Sequence, residues 1–228
     1  MNSEVLIVLG MHRSGTSCIA KCLSKMNVDF YLPKINDGFW EKHIEYYQVN
    51  QLNDRILKNW KNPVLRRNLI IRKFYEFMVW RFVASNFNEP VMKGLKDPRL
   101  CLTYDYWEKH FKTIKIIGIF RRPEEVAKSL EIRDDYGKTS LSNGLKLWRM
   151  YNETLLKIHN KKSFPLLNFN LNKEQFGKSL KKACEVLNIE FSLEAFNETF
   201  YDKNKHHYFE TVPETCLEVY SELLTRAI

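Results

Sequence analysis

Hydrophobic and polar positions change period several times along the chain. Residues 4–9 hold the unbroken apolar run Val5-Leu6-Ile7-Val8-Leu9, which stops at Gly10. A run this short, closed by a turn and followed by a helical pattern, predicts a parallel strand buried on both faces. The helix after it is expected from near Gly15, through Ile19, Ala20 and Leu23, to about Met26. A second strand is predicted at 90–95, ending at the turn Lys96-Asp97-Pro98-Arg99. The third is the clearest, Ile114 to Phe120, reading IKIIGIF. Arg121-Arg122-Pro123 stops it, and Pro123 then suits the first turn of a helix whose positive end favours Glu124 and Glu125. A fourth strand is predicted from Phe164 to Phe169.

Helical spacing fills the intervals. Residues 65–87 carry Leu69, Phe74, Phe77, Trp80 and Phe82, and residues 142–159 carry Leu145, Trp148, Tyr151, Leu155 and Ile158. Residues 173–187 place Phe176, Leu180, Cys184 and Leu187 on one face, and residues 213–227 carry Leu217, Tyr220 and Leu224. These aromatic and aliphatic stripes are expected to be core. Strands alternating with helices predict an α/β, P-loop-like three-layer fold, with a central parallel sheet flanked by helices. No internal repeat or linker interrupts the pattern, so residues 1–228 are expected to form a single domain.

Composition narrows this little. Apolar residues make up 44% and charged residues 28%, both ordinary for a globular protein, so disorder is not the expectation. The excess of 36 basic over 27 acidic residues fits either a solvated basic surface or an anionic ligand. The five cysteines are an odd number, and none forms a C-x-x-C pair, so reduced thiols are expected rather than a disulfide framework. The opening apolar run is too short for a secretory signal, and no segment approaches the roughly 20 apolar residues of a membrane span. A cytoplasmic protein is expected, which leaves peripheral membrane contact open. His43, His110 and His159 lack metal-ligand spacing.

The chemistry concentrates in residues 10–17, GMHRSGTS. Gly10 and Gly15 have the G-x-x-x-x-G spacing of a phosphate-binding loop, set between a predicted strand and a predicted helix. Glycines let the backbone turn so that amide N–H groups converge on one anion at a helix N-terminus. Ser14, Thr16 and Ser17 bring hydroxyl donors, and Arg13 a permanent planar charge. The lysine that should follow Gly15 in an NTP-binding loop is Thr16. No apolar run ends in a convincing magnesium-binding Asp. The loop therefore suits a phosphate-like anion better than magnesium-nucleoside triphosphate chemistry.

A second element stands at IFRRPEEVAKSL, with Arg121 at a strand end and Ser129 eight residues later. Taken together, Arg13, Ser14, Gly15, Thr16 and Ser17 with Arg121, Pro123 and Ser129 resemble the superfamily of sulfotransferases that use 3′-phosphoadenosine 5′-phosphosulfate (PAPS). The turn Lys96-Asp97-Pro98-Arg99 and the later Leu147-Trp148 make the pattern most similar to bacterial carbohydrate-type members. Arg122 departs from it, standing where the family often has Asn or Asp. The clear motifs cover residues 5–23 and 91–151.

The resemblance implies transfer of a sulfuryl group to an acceptor hydroxyl without a metal, the acceptor being a carbohydrate or glycolipid and not a nucleic acid. Arg13 to Ser17 would hold the 5′-phosphosulfate, with Arg13 stabilising the leaving phosphate. Arg121 and Ser129 would hold the 3′-phosphate. Glu41, in DGFWEKH, matches the glutamate that serves as acceptor base in carbohydrate-type relatives. Asp97 is the rival base, or a turn residue before Pro98, and His12 is a third candidate beside Arg13. Arg99 would bind a substrate or pair with Asp97. The basic stretch 203–209, with Lys205, His206 and His207, is either a cover over the nucleotide or a solvated loop. Two other readings remain: a P-loop kinase of nucleotides or small molecules, and a non-catalytic module that binds anions or nucleic acid through its charge.

Overall fold

The structure is a computed structural model, describing residues 4–30, 46–60, 65, 68–88, 91–132, 139–200 and 211–228. Four strands form one sheet: β1 (Glu4–Leu9), β2 (Lys93–Lys96), β3 (Thr113–Phe120) and β4 (Leu166–Asn168). Their order is β2-β1-β3-β4, and every pairing is parallel. Val5 meets Lys93 on one side and Ile114 on the other, so the first strand is central.

The two-residue period of the strands divides the core. Val5, Ile7 and Leu9 of β1, with Ile116 and Phe120 of β3, enter one hydrophobic layer. Leu6, Val8, Ile117 and Ile119 enter the other. On the first face pack α2 (Tyr47–Trp60), α3 (Leu69–Asn86), α4 (Leu100–Trp107), α5 (Pro123–Glu131), α6 (Leu141–Lys162) and α9 (Glu214–Arg226). On the second lie α1 (Thr16–Ser24), α7 (Lys173–Leu187) and α8 (Leu193–Thr199). Helix, sheet and helix make the three-layer α/β architecture expected from the strand–helix alternation.

Local chemistry sets the helix ends. Asn68 accepts from the Ile70 and Ile71 amides at 2.9 and 3.2 Å to start α3. Asn172 and Ser192 accept from Gln175 and Ala195 at 2.9 and 3.1 Å to start α7 and α8. Pro123 sits in the first turn of α5, and Asn188 closes α7 in the left-handed conformation.

Three readings of the pattern are corrected. Of the α3 stripe only Phe82 is core: Leu69, Phe74, Phe77 and Trp80 are exposed, and Val79 and Val83 face inward with Phe82. In α9 the buried face is Cys216, Val219 and Leu223, whereas Leu217 and Leu224 point outward. The strand expected at 90–95 is displaced to Lys93–Lys96, so Lys96 belongs to the strand and not to the turn after it. The stripes of α6 and α7 are buried as the spacing predicts. No described helix is long and apolar enough to cross a membrane.

Candidate anion-binding site

The site lies where β1, β2 and β3 end. Gly10 follows β1 so closely against β3 that a Cβ there would stand 2.6 Å from the Ile119 carbonyl oxygen. The chain then turns, with the Ser14 amide donating to the Met11 carbonyl at 3.2 Å. Arg13 and Gly15 both have positive φ, 67° and 96°. At Gly15 a Cβ would meet the Phe169 ring at 2.4 Å, so both space and backbone demand glycine. Helix α1 begins at Thr16, and no side chain caps its N-terminus. Its first amides and the positive end of its dipole thus face the loop. Ser14 is fully buried, and its hydroxyl has no hydrogen-bond partner among the described residues. An orphaned buried donor in a loop of converging amides fits an anion bound there.

The structure brings the two predicted elements together. The Arg13 Nε donates to the Ser129 Oγ on α5 at 2.7 Å. Arg121, at the end of β3, places its Nη1 3.5 Å from the Arg13 carbonyl oxygen. Arg121 is itself positioned by three residues. Its Nε donates to Glu125 Oε2 at 2.6 Å. Asn170 donates to the other Glu125 oxygen at 2.9 Å and accepts from the Arg122 amide at 2.7 Å. The Trp148 indole donates to the Arg121 carbonyl at 2.9 Å, which gives the Leu147-Trp148 motif a physical role. Arg122 turns away to the Tyr220 hydroxyl on α9, and that hydrogen bond raises its pKa.

A lysine enters the loop from an unexpected direction. Lys96 ends β2, is only 2% exposed, and donates from Nζ to the Ser17 Oγ at 3.0 Å. It pairs in register with Val8, just before the loop begins. The cation absent from position 16 of the sequence is therefore delivered in space by the neighbouring strand. The readable signal was its place at the head of the Lys-Asp-Pro-Arg turn, beside a central strand. Glu125 and Asn170 were also missed, since nothing in their spacing marks them.

Asp97 is fully buried and held on several sides. Its Oδ1 accepts from the Arg99 amide at 2.9 Å and the Arg99 Nη1 at 3.1 Å, and its Oδ2 accepts from the Asn53 Nδ2 at 2.9 Å. Asn53, buried on α2, also accepts from Thr103 and the Trp107 indole at 2.8 and 3.0 Å. Arg99 further pairs with Asp54 at 2.6 Å. This arrangement fixes the turn after β2 and engages both carboxylate oxygens. His12, half-buried in the loop, packs edge-on against Tyr151 at 6.1 Å. Burial pushes the Tyr151 hydroxyl pKa up, so it remains a neutral phenol. Glu41, Lys205, His206 and His207 lie outside the described residues.

Arg13, Lys96, Arg121 and the start of α1 thus converge on one sheet edge, while the nearby acids Asp97 and Glu125 are each paired with an arginine. Such a site can hold a dianion at one end and a second anion at the other. No protein-family model and no curated protein sequence matches the chain. Solved structures do. The sulfotransferase domain of the Synechococcus PCC 7002 olefin synthase aligns with a TM-score of 0.59 at 14% identity, covering 97% of this chain and 94% of that one. The sulfotransferase domain from the curacin biosynthetic pathway aligns with a TM-score of 0.60 at 14% identity, covering 97% and 98%. Sulfotransferase STF1 from Mycobacterium tuberculosis H37Rv aligns with a TM-score of 0.54 at 13% identity, covering 97% and 77%. The fold of this chain is the α/β fold of those sulfotransferases.

Proposed function

We propose that the protein transfers a sulfuryl group from PAPS to an acceptor hydroxyl. The observation that carries this reading is the meeting of Arg13, Ser129 and Arg121 at the ends of two adjacent strands. PAPS needs two anion sites, because its phosphosulfate and its 3′-phosphate lie on different sides of the ribose. The loop amides, Ser14, Thr16, Ser17, Arg13 and Lys96 would take the 5′ group. Arg121 and Ser129 would take the 3′-phosphate, whose ~1.5–2 charges a guanidinium meets with two hydrogen bonds.

Transfer requires the acceptor oxygen, sulfur and leaving phosphate oxygen in line. A base takes the acceptor proton as the new S–O bond forms. Arg13 and Lys96 stabilise the negative charge that grows on the leaving phosphate as the old S–O bond breaks. Glu41 and His12 are the proposed bases. Asp97, with its oxygens engaged by Arg99 and Asn53, acts by holding the turn that presents Lys96. The proposed acceptor class is a carbohydrate or glycolipid hydroxyl, after the carbohydrate-type motif pattern.

One observation favours a second reading. Lys96 beside Ser17 restores the cation of an NTP-binding loop, which suits a kinase as well. Calorimetry with adenosine 3′,5′-bisphosphate and with ATP decides between them. The transferase reading expects the bisphosphate to bind in EDTA. Tight magnesium-ATP binding with no affinity for the bisphosphate would replace it with the kinase.

A further inference from the structure

Helix α3 has apolar residues all the way round, and only one side of it packs on the core. At about 100° per residue, Leu69, Ile70, Phe74, Phe77 and Trp80 fall within one arc of about 140°. All five are exposed, Leu69 and Ile70 by 71% and 79%. Phe77 and Trp80 hold each other at 5.7 Å between ring centroids. The same arc contains Lys73 and Arg81, both exposed, and no acid. Glu76 lies beyond its edge and is tied to Arg72 and Lys109 at 3.0 and 2.5 Å. A continuous apolar surface of this kind is uncommon on a monomer with nothing to cover it.

We infer that this face of α3 docks on an anionic phospholipid bilayer. Trp and Phe beside Lys and Arg are the residues that seat a helix in the plane of a lipid interface, with rings in the acyl boundary and cations among the headgroups. The charge selects this occupant over a second copy. A twofold dimer through the arc would press Lys73 and Arg81 against their own equivalents with no carboxylate to meet them, whereas anionic headgroups neutralise both. The net charge of +9 acts in the same direction.

The test is flotation of the full chain with phosphatidylcholine vesicles and with vesicles of phosphatidylcholine and phosphatidylglycerol in equal parts. Binding is expected to the anionic vesicles alone. The Phe77→Ser/Trp80→Ser variant should abolish it, and Lys73→Gln/Arg81→Gln should weaken it roughly thirtyfold. Thermal melts and adenosine 3′,5′-bisphosphate affinity should match wild type in both, because all four side chains are exposed. Brominated lipid should quench tryptophan emission in the wild type but not that part lost in Trp80→Phe. Equal binding to both vesicle types, or anionic binding untouched by either double variant, would overturn the inference. So would a dimer in sedimentation that Phe77→Ser/Trp80→Ser disperses, with no vesicle binding.

Discussion

Replacing Lys96 by Met separates what this residue does for the fold from what it does for a ligand. The Lys96 ammonium is buried, 2% exposed, and donates to the Ser17 hydroxyl at 3.0 Å. Methionine fills a similar space with an unbranched chain, so urea titration should show a folded variant with a cooperative transition. Ligand binding should fall. A charge-assisted hydrogen bond to a phosphate contributes about 1.5–3 kcal/mol, or a loss of about 10- to 150-fold in affinity. The loss should appear for adenosine 3′,5′-bisphosphate and for adenosine 5′-monophosphate, both of which carry the 5′ group. Adenosine 3′-monophosphate should be little affected. Isothermal titration with the three nucleotides reads the pattern directly. If Lys96→Met unfolds the protein, or weakens the two 5′-phosphates less than threefold, Lys96 is a structural cation and not part of the anion site.

Arg121→Ala should give the complementary pattern, weakening adenosine 3′,5′-bisphosphate about tenfold or more while sparing adenosine 5′-monophosphate; equal losses would make Arg121 structural. Glu41→Gln should fold and bind the bisphosphate like wild type but lose roughly 10²–10⁴-fold in turnover, measured with labelled PAPS. Asp97→Asn should instead lower stability by about 1–3 kcal/mol, since one of the two carboxylate acceptors becomes a donor facing the donors of Arg99 or Asn53; if it folds normally and is inactive while Glu41→Gln turns over, the two roles are exchanged. Gly15→Ala combines left-handed strain of about 1–2 kcal/mol with overlap on the Phe169 ring of about 1–3 kcal/mol. Urea titration should show the summed loss, and Phe169→Leu in the same chain should return part of it. A stability within error of wild type would mean that the loop relaxes away from Phe169.

The strands and the loop were legible because their signals are local. An apolar run closed by Gly10, and IKIIGIF closed by Arg-Arg-Pro, need no knowledge of the rest of the chain. The nearness of the two elements was readable too, since a donor with two anionic ends needs them on neighbouring strand ends; the direct bond of Arg13 to Ser129 was not. Lys96 was readable only as the head of its turn, because its approach to Ser17 depends on which strand lies beside β1, and sheet order is not written in any one segment. Helix α2 was passed over because its buried positions Val49, Leu52, Asn53 and Ile56 include a polar residue, and Asn53 is the one that organises the turn after β2. The α3 stripe misled for the opposite reason: helical spacing reports an apolar face but not what that face meets. In α9 the chosen stripe was one residue away from the true one, which a cysteine helps to form.

The central position of β1 has a consequence for how the chain acquires its shape. Both edges of β1 are reserved for segments that lie much later in the chain, Lys93–Lys96 and Thr113–Phe120. Until those emerge, Val5 to Leu9 has no sheet to join, and the turn behind it has no Ile119 or Phe169 to press against. Contacts so far apart in sequence close slowly and leave sticky segments open to other chains in the meantime. The loop at residues 10–17 is thus made before the strands that hold it and becomes rigid only after them. Its ligand, by gripping the ends of strands made at different times, would act as a late fastener, and refolding yields should rise when adenosine 3′,5′-bisphosphate is present.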